Sequence, residues 1–185
     1  MVKRVLRSGA YALSLAGMAT LGATSAAAQQ QPQAPPAPTT LVTAFNPNVL
    51  AAALSGIGGK QGQAKADGDK HFYTLTLPSG IPAVAYFDDC QGEACKSLVL
   101  VVSLAKPADR TVAQLDELLR KVNNNVPAAK VFRVGDKVIV QGYSVADHGI
   151  TLGNLETQLK LFSDITLSMY KTLNPAPAPA AGPGR

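Results

Sequence analysis

The chain has 185 residues, with 17 Lys and Arg against 12 Asp and Glu, a formal net charge of +5. Lys3, Arg4 and Arg7 lie in an acid-free stretch, 1–28, so the remainder carries 14 basic and 12 acidic residues, a balance of +2. The rest shows no clustered Lys and Arg, which argues against a nucleic-acid partner. Aromatics make up 5% and Trp is absent, which argues against a sugar- or base-stacking platform. With two Cys and two His, a four-ligand zinc site would need all four together.

In chain order, the first element is an export signal. Met1–Arg7 is short and basic, Ser8–Leu21 is apolar and uncharged, and Ala26 and Ala28 stand in the A-x-A positions of a signal-peptidase site. The apolar run is shorter than the roughly 20 residues that span a bilayer as a helix. The spacing therefore predicts Sec export and cleavage after Ala28, rather than a membrane anchor. The first Cys is residue 90, so no lipid-modified cysteine follows the cleavage site. The expected mature chain starts at Gln29, is periplasmic and does not span the membrane.

Two Pro-rich segments flank the rest. Residues 29–40 carry Pro32, Pro35, Pro36 and Pro38 among Gln and Ala, and 174–185 carry Pro175, Pro177, Pro179 and Pro183 among Ala and Gly. Both are expected to be disordered, because they hold too little apolar bulk to offset the entropy of ordering them. Residues 41–173 remain as one domain with one core.

Within that domain Asn46-Pro47 opens a helix, with Pro at the first helical position and Val49, Leu50, Ala53 and Leu54 as its apolar face. Gly56, Gly58 and Gly59 stop it. A weaker strand over 61–66 precedes the Asp67-Gly68-Asp69 turn. Next comes an alternating strand, His71–Leu77, with Tyr73, Leu75 and Leu77 on one face and Phe72, Thr74 and Thr76 on the other. Pro78-Ser79-Gly80 turns the chain into a strand over 81–87. The continuous apolar run 97–104 predicts a central strand covered on both faces. Thr111 and Gln114 form a capping box for a second helix with Val112, Leu115, Leu118, Leu119 and Val122 on its face. Two strands, 130–134 and 137–143, flank the Gly135-Asp136 hairpin turn. Thr151 caps the last and longest helix, Ile150 and Leu155 form its staple, and its stripe is Leu155, Leu159, Phe162, Ile165, Met169 and Leu173. Glu156 and Lys160 are expected to pair on its wet side. The predicted order is α-β-β-β-β-α-β-β-α, an α+β fold.

The candidate chemical motifs are sparse. The run Gly56–Gly62 looks like a phosphate loop, but it follows a helix and precedes a strand, and nothing after Lys60 would hold magnesium. Cys90 and Cys95 form C-x4-C between strands. In an exported chain that spacing predicts one structural disulfide at a hairpin tip. A redox dithiol would want two intervening residues and a helix N-terminus, not acids at 88, 89 and 93. A metal would have to draw on Asp88, Asp89, Glu93, His71 or His148, and none has ligand spacing. No G-x-S-x-G run occurs and no Ser stands beside a His, so no catalytic residue, cofactor or metal is expected.

The pattern resembles the YbjN domain family, labelled bacterial sensory transduction regulators. The residues that carry the resemblance are Tyr86-Phe87-Asp88-Asp89-Cys90, Cys95-Lys96-Ser97-Leu98, the helix end at Asn123-Asn124-Asn125, and Asp147–Leu155 leading into the last helix. The resemblance covers roughly residues 41–173 and implies a fold similar to type III secretion chaperones: a small antiparallel sheet packed by helices and used for protein binding. It supplies no catalytic residues.

The expected function is thus a non-enzymatic, chaperone-like regulatory module that binds a protein or peptide partner. A homodimer is compatible with it, and a periplasmic small-ligand or metal-binding protein is the alternative. The expected interaction surface is the solvent-facing side of the sheet, either the Phe72, Thr74 and Thr76 face or its opposite. The sequence leaves open which face the helices cover.

Overall fold

A computed structural model of the chain describes residues 36–67 and 70–175. The expected signal sequence and most of both Pro-rich segments lie outside them.

The first strand, β1 (Leu41–Val42), is two residues long. Helix α1 (Pro47–Gly56) follows, started by the Asn46 side chain, whose Oδ1 accepts from Val49 N at 3.0 Å, and by Pro47, whose missing N–H is one the first turn could not use. Four strands come next: β2 (Lys60–Asp67), β3 (Lys70–Thr76), β4 (Pro82–Gln91) and β5 (Ala94–Ala105). Helix α2 (Val112–Asn125) opens on a reciprocal capping box between Thr111 and Gln114. Strands β6 (Lys130–Val134) and β7 (Lys137–Val145) form a hairpin. A two-residue strand, β8 (Ile150–Thr151), pairs with β1 and leads into helix α3 (Leu152–Leu173), capped by Thr151 Oγ1 accepting from Asn154 N at 3.1 Å.

Apart from the β1–β8 pair, all strands join one antiparallel sheet in the order β2-β3-β4-β5-β7-β6. The chain leaves β5, crosses as α2 to the far edge, and returns as β7 to lie against β5. The 12-residue β5 is therefore central, with β4 along Ala94–Val101 and β7 along Ser97–Ala105.

One core joins one face of the sheet to the three helices. Leu75, Ala85, Leu98, Leu100, Val102, Val138 and Val140 meet Leu50 and Leu54 of α1, Leu115 and Leu119 of α2, and Leu155, Leu159 and Phe162 of α3. Gly142 marks a close approach of β7 to α3: a Cβ there would lie 2.8 Å from Phe162 Cδ2. Among the described residues no helix is long and apolar enough to cross a membrane.

Three expectations need correction. Glu156 does not pair with Lys160; Lys160 Nζ instead lies 2.8 Å from Asp164 Oδ2, one turn further on, while Glu156 leans against Gly56 of α1. The central strand is covered on both faces only in its first half: outward Ser97 and Val99 are buried, while Val101 is half-buried and Ser103 exposed. The ordered chain also begins before residue 41: Pro38 O and Thr40 O accept from Gly153 N at 2.7 Å and Leu152 N at 2.8 Å, so the segment that looked like linker satisfies two orphan amides of the first turn of α3.

Candidate functional site: the helix-free face of the sheet

Alternation along a strand sends successive side chains to opposite faces. In β3 it buries Leu75 and, just past the strand end, Leu77 under the helices, with Tyr73 packed against the same core, and turns Phe72, Thr74 and Thr76 to the other side. Register then builds rows across the sheet. Phe72 is opposite Tyr86, Tyr86 opposite Val99, and Val99 opposite Tyr143. Beside that row run Thr74, Val84, Val101 and Gln141, and then Ser103, Ile139 and Phe132.

Tyr86 and Tyr143 flank Val99, which is 3% exposed with no helix of the described residues packed on that side. Tyr143 is itself 59% exposed and fixed at its tip, its hydroxyl 2.7 Å from Ser97 Oγ. Val145, two positions along the strand, is exposed as well, and Phe132 and Val134 are exposed on the same face further along the β6–β7 hairpin. The face is thus a pre-shaped apolar and aromatic surface of the kind that marks interaction sites in soluble domains.

Of the residues singled out in the sequence, Phe72, Thr74 and Thr76 lie together on this face, as one strand's contribution. Tyr86, Val99, Val101, Phe132 and Tyr143 were not foreseen. Alternation in β4 separates Val84 and Tyr86 from the small Ala83 and Ala85 and hinted at an aromatic face, but pairing with Tyr143 depends on β7 inserting beside β5.

Cys90 and Cys95 stand opposite each other in the β4–β5 register and are joined by a disulfide. Cys95 is buried and its backbone is bridged to Phe45 by two hydrogen bonds, 2.7 and 3.1 Å, while Cys90 is exposed. The disulfide therefore closes the outer end of the β4–β5 hairpin, and the Phe45–Cys95 backbone bonds hold that end to the segment before α1.

The other candidate motifs do not converge. Helix α1 ends at Gly56 and β2 begins at Lys60, so the glycine-rich loop meets a helix C-terminus. His148 sits exposed in a turn at φ +62°, 3.6 Å from Asp147. Among the described residues no three His, Cys, Asp or Glu gather as a metal site. An open hollow of about 860 Å³ beside the disulfide is lined by Asn46, Tyr73, Tyr86, Phe87, Asp88 and Glu93. Two of its polar groups are already engaged locally, Asn46 in capping α1 and Asp88 Oδ1 in accepting from Asp89 N at 3.0 Å.

On the helix side, several charges pair with each other. Glu117 accepts from Arg120 at 2.8 Å and lies 3.5 Å from Lys121, and the Arg120 hydrogen bond is the main cause that holds its carboxyl below the ordinary glutamate range. Arg133 meets Asp116 at 3.1 Å.

The model of the YbjN family, described as "Putative bacterial sensory transduction regulator", matches residues 28–175. The chain belongs to the YbjN family. Its description is that of a regulator, not of an enzyme family. Among solved structures the YbjN-family chain is similar to one described as "Crystal structure of YbjN, a putative transcription regulator from E. coli", at 14% identity and a TM-score of 0.45 over 70% of this chain and 96% of that one. No curated protein matches it.

Proposed function

We propose that this YbjN-family chain is a non-enzymatic regulatory module of the periplasm that works by holding another polypeptide against the helix-free face of its sheet. The observation that carries the reading is the row in which Phe72, Tyr86 and Tyr143 lie over and beside the buried Val99, an ordered apolar strip on the face opposite the core that takes in the three described helices. Such a strip offers a partner burial at about 25 cal/mol per Å² with little ordering cost on this side, because strand pairing and the Ser97–Tyr143 contact already fix the side chains. Export is supported by the pattern of residues 1–28, and the disulfide suits an oxidising compartment.

The test is site-specific photo-crosslinking in the native host. A benzophenone side chain at Phe132 should trap a partner, and the same group at Tyr170, exposed on α3, should not. Phe132→Ser should remove the adduct formed from a second benzophenone at Val145 while leaving the melting temperature within about 2 °C. Adducts at Tyr170 alone, or a stoichiometric small molecule or metal in the purified protein with no adduct at the face, would sink the reading.

A further inference from the structure

The helix-free face is neutral and apolar in its middle but cationic at its margins. Register places Lys60 opposite Thr76 and Lys65 opposite Phe72 on the β2 edge, and Lys130 opposite Gln141 and Lys137 opposite Val134 on the β6–β7 edge. All four lysines are exposed, and none of them is in an ion pair among the described residues. The one carboxylate that register puts on this face, among the described side chains, is Asp88, at the disulfide end. Off this face, Arg120, Lys121, Arg133 and Lys160 are each within reach of a carboxylate, while Lys96 and Arg110 donate to the backbone carbonyls of Thr43 and Thr172. Among the described side chains, these four lysines are therefore left without a paired carboxylate, on both sides of an apolar strip.

Resting on the binding reading above, we infer that the partner is an acidic polypeptide segment, its apolar side chains seated on the tyrosine and valine rows and its carboxylates reaching the lysines at the two edges. Strands lie about 4.8 Å apart, so crossing from β2 to β6 takes roughly 24 Å, which an extended segment covers in about seven residues. Apolar contact supplies affinity, and the flanking charges supply approach and orientation. A second copy of the chain fits poorly, because a two-fold contact between like faces would press lysine against lysine. Nucleic acid fits poorly too, since the lysines form two separated pairs rather than a track that follows a phosphate backbone. The lysines also blunt the sheet edges against edge-to-edge pairing. That role alone would make them matter for aggregation and not for partner choice.

The test uses the full mature chain and three fluorescein-labelled 16-residue peptides sharing one Leu/Phe pattern, with flanking Glu, Gln or Lys, followed by anisotropy at 50 and 300 mM NaCl. The Glu peptide should bind at least tenfold more tightly than the Gln peptide, and the advantage should shrink severalfold at the higher salt, as expected for several weak exposed ion pairs acting together. Two double variants, K60E/K65E and K130E/K137E, lie on opposite edges, so a folding defect in one leaves the other informative; each should erase the preference for Glu without loss of the melting transition. Equal, salt-independent binding of the Glu and Gln peptides would overturn the acidic partner and leave the binding face standing. Binding of no peptide, or binding that Phe132→Ser leaves untouched, would overturn both. Tighter binding to phosphatidylglycerol vesicles than to the Glu peptide, lost in the double variants, would replace the polypeptide by a lipid surface.

Discussion

Asn123 closes the free edge of the sheet at one point. Val131 turns both its N–H and its C=O away from β7, and Asn123 meets them as a strand would, with Oδ1 accepting at 2.8 Å and Nδ2 donating at 2.7 Å. Side-chain amides seldom substitute so fully for a neighbouring strand. Asn123→Ala should lower stability by about 1–3 kcal/mol, since Val131 is buried and its backbone groups lose both partners. Urea unfolding at unchanged m-value checks this, and concentration-dependent association should follow as the edge opens. Gly142 makes the opposite point, because there a side chain is excluded. Gly142→Ala drives a methyl into Phe162 and should cost about 1–3 kcal/mol. Adding Phe162→Leu should recover part of that loss in a double-mutant cycle, and strictly additive losses would show that the close approach is not the cause.

At the level of elements, the signals that were legible in the sequence are local ones. Asn46-Pro47, the Thr111–Gln114 box and Thr151 each mark a helix start because a cap is read from residues one to four positions apart. The stripe of α3 is buried as its period demands, with Ile165 only partly so. The Glu156–Lys160 pair failed because i,i+4 spacing permits two acidic partners for Lys160, and packing against Gly56 decided between them. The cysteines were legible because the sequence has two of them, five positions apart, so each has the other as its sole possible partner within the chain. Their disulfide closes a short loop on a hairpin that is paired in any case, so replacing both with Ser should cost about 2 kcal/mol and leave the fold intact. Thermal unfolding of the double variant measures it. Loss of the cooperative transition would instead mean that the Phe45–Cys95 bridge depends on the bond.

For the whole molecule, what escaped the sequence is what depends on distant parts meeting. Phe72, Thr74 and Thr76 alternate with Tyr73, Leu75 and Leu77, and neither set is polar enough to announce itself as the outside. The choice is made by all three helices lying on one side, which no window along the chain records. The same holds for Tyr86 and Tyr143, 57 positions apart in sequence and brought to either side of Val99 only by the insertion of β7. Compartment is a whole-molecule property of another kind, and here two independent signs agree. The basic, apolar, small-residue pattern of residues 1–28 is that of an export leader, and a Cys90–Cys95 bond suits a compartment where thiols are not kept reduced. The two are coupled in one measurement. Intact mass of protein released by osmotic shock should correspond to residues 29–185 less two hydrogens, and reduction should restore them. A chain that stays with the cytoplasm or membrane, keeps residues 1–28 and carries two free thiols would overturn both the export and the oxidising environment at once.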